Sequence, residues 1–371
     1  MKTQQFYWSK ESNWNLPEAP LQDAQVLFIF AGIDVIETKL AYDELKSHFP
    51  KADQIYMSTS GEIMGNEIKD DSLVVTAVQF EKTPIQIQSF EKENQESAFD
   101  LGTRIGEGMN SSELKHLLIF SEGHDTNGDH LIEGLKSKIN SQIPITGGLA
   151  GDAGRFNRTI VGLNNKLSDR MVIAIGLHGD AIRTSYGSKD GWDVFGPIRT
   201  ITQSSENTLM ELDHTNALEL YKKYLGDRAQ ELPGAALLFP LHLTFPDGTK
   251  VVRTILSINE DEKTMNFAGT VPVGAKAQFM MANFDRVIQG AANAANQAKM
   301  EVDSQLTLMV SCVGRKLVMK NRTEEELEAV TDTLGNSTYF GFYSNGEICP
   351  TSEGHSTLHN QTMTITTISE V

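Results

Sequence analysis

The sequence predicts a mixed α/β (α+β) protein: two related domains with mixed sheets flanked by helices, built on an internally repeated strand-helix-strand-turn-strand unit. Three observations carry this. Short continuous apolar runs such as Val26–Ala31 (VLFIFA), Met171–Leu177 (MVIAIGL) and Leu306–Ser311 (LTLMVS) have the length and composition of strands buried on both faces. Segments with apolar residues at helical intervals alternate with them. The tripeptide Gly-Glu-Ile recurs at 61–63 and 346–348, each time just after the second strand of the unit, which marks an internal repeat.

Taken in order, residues 1–24 are polar, carry Trp8, Trp14, Pro17 and Pro20, and read as an arm over the body. The strand Val26–Ala31 leads to a helix over 36–49, with Ile36, Leu40, Leu45 and Phe49 inward, stopped by Pro50. Gln54–Ser58 is the next strand and runs into Thr59-Ser60-Gly61-Glu62-Ile63. Leu73–Phe80 and Ile85–Phe90 alternate and predict an antiparallel pair turning around Pro84. A second round follows: helix 96–109, strand Leu117–Ser121, loop His124–Asp129, helix Asp129–Ile139, strand Ile143–Thr146, and the glycine turn Gly147-Gly148-Leu149-Ala150-Gly151-Asp152. A hairpin and the strand Met171–Leu177 complete it.

Strand Arg199–Gln203 then precedes a helix over Asn216–Leu225, which opens the second domain. It continues with strands Ala235–Leu243, Val251–Asn259 and Met265–Phe267. The alanine-rich helix Asn283–Lys299 has small residues that permit close packing. A third round closes the chain: Leu306–Ser311, helix 323–334, Thr338–Tyr343, Ser344-Asn345-Gly346-Glu347-Ile348 and Thr362–Ile368. The expected divisions are an arm at 1–24, a first domain at 25–215 and a second at 216–371.

Composition narrows function. A chain of 371 residues exceeds one domain of roughly 150. With 39% hydrophobic residues it can bury a real core. Thirty-two Lys and Arg against 49 Asp and Glu leave −17. That disfavours wrapping nucleic acid or docking on anionic lipid, both of which need a basic surface. Two cysteines, Cys312 and Cys349, exclude a disulfide scaffold and a Cys-rich metal cluster. Neither a signal peptide nor a membrane-spanning run is present, so a soluble, cytoplasmic protein is expected.

Several constellations carry possible chemistry. Gly147, Gly148 and Asp152 form either a turn that needs glycine's backbone freedom or a nest of N–H groups for an anion. Asp125, Asn127 and Asp129 mimic the start of a calcium loop, but His130 and Lys136 stand where Gly and Glu belong. A helix cap is the better reading. Cys312 with His359, or Glu347 with His359, would serve an enzyme as nucleophile or acid–base pair; Cys312 also ends an apolar strand, as a core residue does. Arg315, Glu347, His359 and Asn360 all lie at strand ends, where α/β proteins hold ligands. They would fix a polar or zwitterionic molecule, or else form a structural network in which Glu347 pairs with Arg315.

These motifs resemble the FIST (F-box and intracellular signal transduction) family, N- and C-terminal domains together, from about Val26 to the end. The first half of the resemblance rests on Ser60-Gly61-Glu62, Gly147 to Asp152, and Gly191-Trp192 with Gly196-Pro197. The second rests on Ala217 to Tyr221, Ser311-Cys312-Val313-Gly314-Arg315, Phe342 to Ile348, and Leu358-His359-Asn360-Gln361-Thr362. Members usually carry an aromatic where this chain has Asn345. The resemblance implies a sensory module, stand-alone here and without chemistry of its own, that binds a small molecule such as an amino acid. It would act through a signalling partner such as a histidine kinase. One subgroup is described as haem-binding nitric-oxide sensors; for haem the candidate axial ligands are His178 and His359. The alternative class is an enzyme using Cys312 or Glu347 with His359, and a third is an interaction scaffold with no pocket.

Overall fold

In the computed structural model, which describes every residue except 39, 40 and 233, one unit is built three times. The first copy runs through β1 (Lys2–Ser9), β2 (Asn13–Trp14), β3 (Val26–Gly32), α1 (Ile33–Glu37), α2 (Tyr42–His48) and β4 (Asp53–Thr59). A hairpin of β5 (Glu62–Met64) and β6 (Glu67–Lys69) follows, then β7 (Leu73–Gln79). The second comprises β8 (Ile85–Glu91), α3 (Ala98–Met109), β9 (Leu114–Ser121), α4 (Gly128–Lys136), β10 (Ile145–Leu149), the hairpin β11 (Val161–Leu163) and β12 (Lys166–Ser168), and β13 (Met171–His178).

The third copy opens with β14 (Ile182–Lys189) and is interrupted by an inserted sheet. That sheet contains β15 (Trp192–Ser205), β16 (Thr208–Leu212), β17 (Thr215–Asn216), α5 (Ala217–Leu225), β18 (Leu241–Thr244), β19 (Lys250–Arg253), β20 (Ile255–Asn259), β21 (Thr264–Phe267) and β22 (Lys276–Ala282). The copy resumes with α6 (Phe284–Gln297), β23 (Leu306–Cys312), α7 (Val313–Met319), α8 (Glu324–Leu334), β24 (Thr338–Ser344), the hairpin β25 (Gly346–Pro350) and β26 (Ser356–His359), and β27 (Met363–Glu370).

The three copies give three sheets of one strand order: β12-β11-β4-β3-β7-β1, β26-β25-β10-β9-β13-β8 and β6-β5-β24-β23-β27-β14, the first extended past β1 by the short β2. In each, a parallel pair (β3/β4, β9/β10, β23/β24) lies at the centre. The hairpin that follows each pair leaves its own sheet. β5 pairs with β24, β11 with β4, and β25 with β10. Each copy therefore completes a neighbour's sheet, and the exchange closes in a ring.

Burial on both faces explains the continuous apolar runs. Phe28, Phe30, Leu118, Phe120, Leu308 and Val310 point into the core shared by the three sheets. There Phe30 lies 4.7 Å from Phe342 and Phe28 lies 5.0 Å from Phe340, ring to ring. Intervening residues face outward under helices: Leu27 and Ile29 with Leu45, Leu117 and Ile119 with Leu131 and Leu135, Met309 with Ala291, Ala294 and Leu327. The alanines of α6 allow the expected close approach, since a Cβ on Gly187 of β14 would stand 2.1 Å from the Ala294 carbonyl oxygen.

The inserted strands form an eight-stranded sheet with its own core around Leu209, Leu218, Tyr221 and Phe279. The expected division at 215/216 falls within this sheet, inside the two-residue strand β17 and just ahead of α5. Among the described residues no helix is long and apolar enough to cross a membrane.

Some local expectations are corrected. β7 and β8 do not pair: β7 lies between β3 and β1, and β8 lies on β13 in the next sheet. Alternation reports burial but not the partner, and the Pro84 turn carries the chain between sheets. The helix placed at 36–49 is two short helices, and Leu40 lies outside the described residues. Ala235–Leu238 is a 3₁₀ turn ahead of Pro240, with strand only from Leu241.

Candidate functional site

The glycine-plus-acid turns lie where β4, β10 and β24 end. Three backbone hydrogen bonds close a ring there: Ser60 N–H to Tyr343 O at 2.8 Å, Asn345 N–H to Leu149 O at 3.3 Å, and Gly151 N–H to Ser58 O at 2.9 Å. Two of the acids are held identically. Glu62 accepts from the Thr59 hydroxyl (2.5 Å) and from the hydroxyl (2.7 Å) and N–H (3.3 Å) of Ser72. Glu347 accepts from the Ser344 hydroxyl (2.7 Å) and from the hydroxyl (2.8 Å) and N–H (3.2 Å) of Thr362. Burial raises both carboxyls, Glu62 to about 8 and Glu347 to about 7, despite these bonds. Asp152, the third, accepts from the N–H groups of Phe156, Asn157 and Arg158 and pins the following loop.

These turns are plugged, which corrects the nest reading. Gly147 and Gly148 are strand residues, paired to β9 and β25. Gly147 has φ +133° and a Cβ there would lie 2.0 Å from the Ile119 carbonyl oxygen; on Gly148 it would meet Val310 at 2.8 Å. Close packing, not a ligand, requires these glycines.

The second predicted group is dispersed into separate networks. Arg315 is wholly buried and pairs with Glu326, not Glu347: Nη2 reaches Oε2 at 2.7 Å and Nε reaches it at 2.9 Å. The same guanidinium donates to the Val287 carbonyl, and Tyr343 and Ser311 donate to the other oxygen of Glu326. Glu347 and His359 are cross-strand partners, yet His359 Nε2 is spent on the Cys349 carbonyl at 3.0 Å. Burial lowers His359 to about 4. Asn360 donates to the His359 carbonyl, and its Oδ1 faces the Thr254 N–H at 3.5 Å. The Cys312 thiol is buried, and burial pushes its pKa far up, away from a reactive thiolate.

Haem is tested by the surroundings of its two candidate ligands. His178 packs its ring over Gly176, where even a Cβ would lie 2.6 Å from Nε2. His359 borders a cleft of about 250 Å³ walled by Lys189, Asp190, His242, Lys250 and Glu353. That is polar and below the roughly 300–1,000 Å³ of ligand pockets, while haem needs an apolar slot. Neither site fits haem. Among the described residues no group of three or more His, Cys, Asp or Glu side chains is arranged to hold a metal.

A larger cleft, about 440 Å³, lies at the seam between the second copy and the inserted sheet. One wall is the loop Gly123–Asn127 with Phe156; the other is Glu206, Asn207, Leu256 and Ser257; Leu149, Leu358 and Asn345 form the floor. The loop is partly satisfied from within. Glu122 Oε2 accepts the His124 and Asp125 N–H groups, and Asn127 caps α4 by accepting from Asp129 and His130. Asn345 Oδ1 and Thr126 Oγ1, by contrast, are buried without a partner. Unpaired buried polar atoms carry a cost that a ligand would relieve. Beside the cleft, Asp129 of α4 and Arg253 of β19 form a buried bidentate pair, at 2.8 and 2.9 Å, that joins body to insert.

Of this cleft, sequence reading isolated only Asn345, as a departure from an aromatic, and the Asp125–Asp129 loop, as a cap. Its inserted-sheet wall carried no motif.

Fold and cleft together define an α/β protein with an inserted β-sheet and a cleft where the two meet. The FIST N domain model matches residues 25–215 and the FIST C domain model residues 217–350; the chain belongs to the FIST family, whose domains are sensor domains of signal transduction. The FIST N segment holds the first two copies of the unit except β1 and β2, which precede it, and the FIST C segment begins at α5, inside the inserted sheet. No curated protein matches significantly. A solved cyanuric acid hydrolase from A. caulinodans is similar over 78% of this chain and 68% of its own, at 10% identity and a TM-score of 0.21, too low to carry an argument.

Proposed function

We propose that this FIST protein is a sensor that takes a small ligand into the cleft between the threefold body and the inserted sheet. The ligand shifts the insert against the body and so changes the state of a signalling partner such as a histidine kinase. The protein performs no chemistry of its own. One observation carries this reading: a cleft of about 440 Å³ is walled by both parts of the molecule and leaves the buried Asn345 Oδ1 and Thr126 Oγ1 unpaired. The buried Cys312 thiol and the separate commitments of Glu347 and His359 favour binding over catalysis.

The test is thermal melting of the wild type and of Ser257→Trp, an exposed β20 position where an indole fills the cleft, against amines, amino acids and organic acids. A bound class at 100 times its Kd stabilises the wild type by roughly 2.7 kcal/mol and leaves Ser257→Trp unmoved. The proposal fails if no class stabilises the wild type, or if both proteins respond alike.

A further inference from the structure

The cleft's hydrogen-bond accounting identifies the chemistry of its guest. We infer, resting on the cleft reading above, that the ligand is a small organic amine with an apolar body and no carboxylate. Neither Lys nor Arg is among the described residues that line the cleft. The adjoining guanidinium, Arg253, is wholly buried and has spent its N–H groups. Nε goes to Thr270 O, Nη1 to Leu358 O and Val252 O, and Nη2 to both oxygens of Asp129. Five donors are all that a guanidinium has. The Lys92 ammonium sits behind the loop on the Asp125 carbonyl.

Most loop N–H groups are likewise paired, those of Thr126, Asn127 and Gly128 excepted. Gly123 donates to Thr159 Oγ1, His124 and Asp125 to Glu122, and Asp129 and His130 to Asn127. Among the side chains what remains is mainly acceptor capacity, with the Thr126 hydroxyl able to donate as well. Asn345 directs its Nδ2 at the Gly123 carbonyl, at 3.5 Å, and leaves Oδ1 unpaired. Thr126 Oγ1 is unpaired at 6% exposure. The carboxyl side chains of Asp125 and Glu206 line the walls, and Glu122 Oε1 beneath the loop is buried without a partner. Phe156 and Leu256 supply open apolar surface, at 37% and 41% exposure.

An ammonium group suits the side-chain acceptors this arrangement leaves at the cleft. It brings N–H donors for Asn345 and Thr126, a positive charge for Asp125 and Glu206, and a tail for Phe156 and Leu256. A carboxylate would meet the like charges of Asp125 and Glu206 and no lysine or arginine in the described lining, so acids are disfavoured by repulsion.

Calorimetric titration of the full chain with 2-phenylethylamine, L-phenylalanine and 3-phenylpropionate tests this, because the three share one body and differ in charge. The amine is expected to bind, phenylalanine at least about tenfold more weakly, and the acid not measurably. The double variant Asp125→Asn/Glu206→Gln, at exposed positions, is expected to weaken the amine roughly five- to tenfold with an unchanged melting temperature. Binding of 3-phenylpropionate as tight as the amine's, and lost in Ser257→Trp, overturns the amine assignment while leaving the cleft as the site. Amine binding that survives Ser257→Trp overturns the cleft itself. An amine that fails to bind the wild type at millimolar concentration overturns the assignment.

Discussion

Glu62 and Glu347 are each buried with two hydroxyls and one N–H as partners and no cation in hydrogen-bond contact. Their raised values, about 8 and about 7 against 4.5 for a free carboxyl, mean that the folded state keeps protons the unfolded chain has released. Their contribution to stability is therefore full below about pH 4.5 and lost as pH rises through 7 and 8. His116 works in the opposite direction. Burial lowers it to about 3 from 6.5 while Thr184 and Thr146 hold its ring nitrogens. Its contribution, like that of His359, is full above pH 6.5 and lost as pH falls towards 4 and 3. Between pH 6.5 and 8 only the carboxyls act. At 1.36 kcal/mol per pH unit per group, stability should drop there by roughly 2 kcal/mol. Thermal melts at the two pH values should show that decline in the wild type and a flat response in Glu62→Gln/Glu347→Gln, whose amides keep the hydroxyl contacts without ionising. At this scale the sequence was informative about identity and silent about partners. The repeated Gly-Glu-Ile drew attention to both glutamates, but Ser72 and Thr362 lie 10 and 15 residues away, and no spacing rule connects them.

The strands were legible for a physical reason: burial on both faces demands an unbroken apolar run, and VLFIFA can hardly be anything else. Their partners were not legible, because each hairpin is donated to another copy's sheet and nothing local in β5 specifies β24. The glycine turn was legible only in part: Gly147 takes the positive φ, +133°, that a need for glycine's backbone freedom implies, but no nest forms there. Gly147 looks like a bend in the sequence but is the point where β10 passes tight against β9, so Gly147→Ala should cost roughly 2–4 kcal/mol in chemical denaturation, with its Cβ driven onto the Ile119 carbonyl. The pairing of Arg315 follows from element packing too. Glu326 enters from α8, faces inward with no exposure and gathers Arg315, Ser311 and Tyr343, which binds α6, α7 and α8 to β23 and β24. Arg315→Met removes one partner of a buried pair and should cost about 3–5 kcal/mol. If denaturant midpoints show less than 1 kcal/mol, the network does not hold the third copy together.

The whole molecule is a threefold body with a β-sheet inserted in its third copy, and in the proposed sensor a signal would cross the joint between them. Arg253 and Asp129 form that joint: Asp129 takes both Nη2 bonds and also the N–H and hydroxyl of Thr270 in the insert, while Arg253 reaches back to the Leu358 carbonyl of β26. A buried pair of this kind stabilises little relative to apolar residues of equal volume, but each partner alone is an uncompensated buried charge. The two cases separate coupling from mere stability. Arg253→Met alone strands Asp129 and should destabilise the insert by about 3–5 kcal/mol, so that calorimetry resolves an early transition ahead of the body's melting. Arg253→Met with Asp129→Leu removes both charges and should recover most of that loss and a single transition. If the double variant stays as split as the single one, the joint depends on the ion pair's directional bonds and not on apolar contact. The insert would then be fastened to the body by geometry that a ligand in the adjacent cleft is placed to disturb.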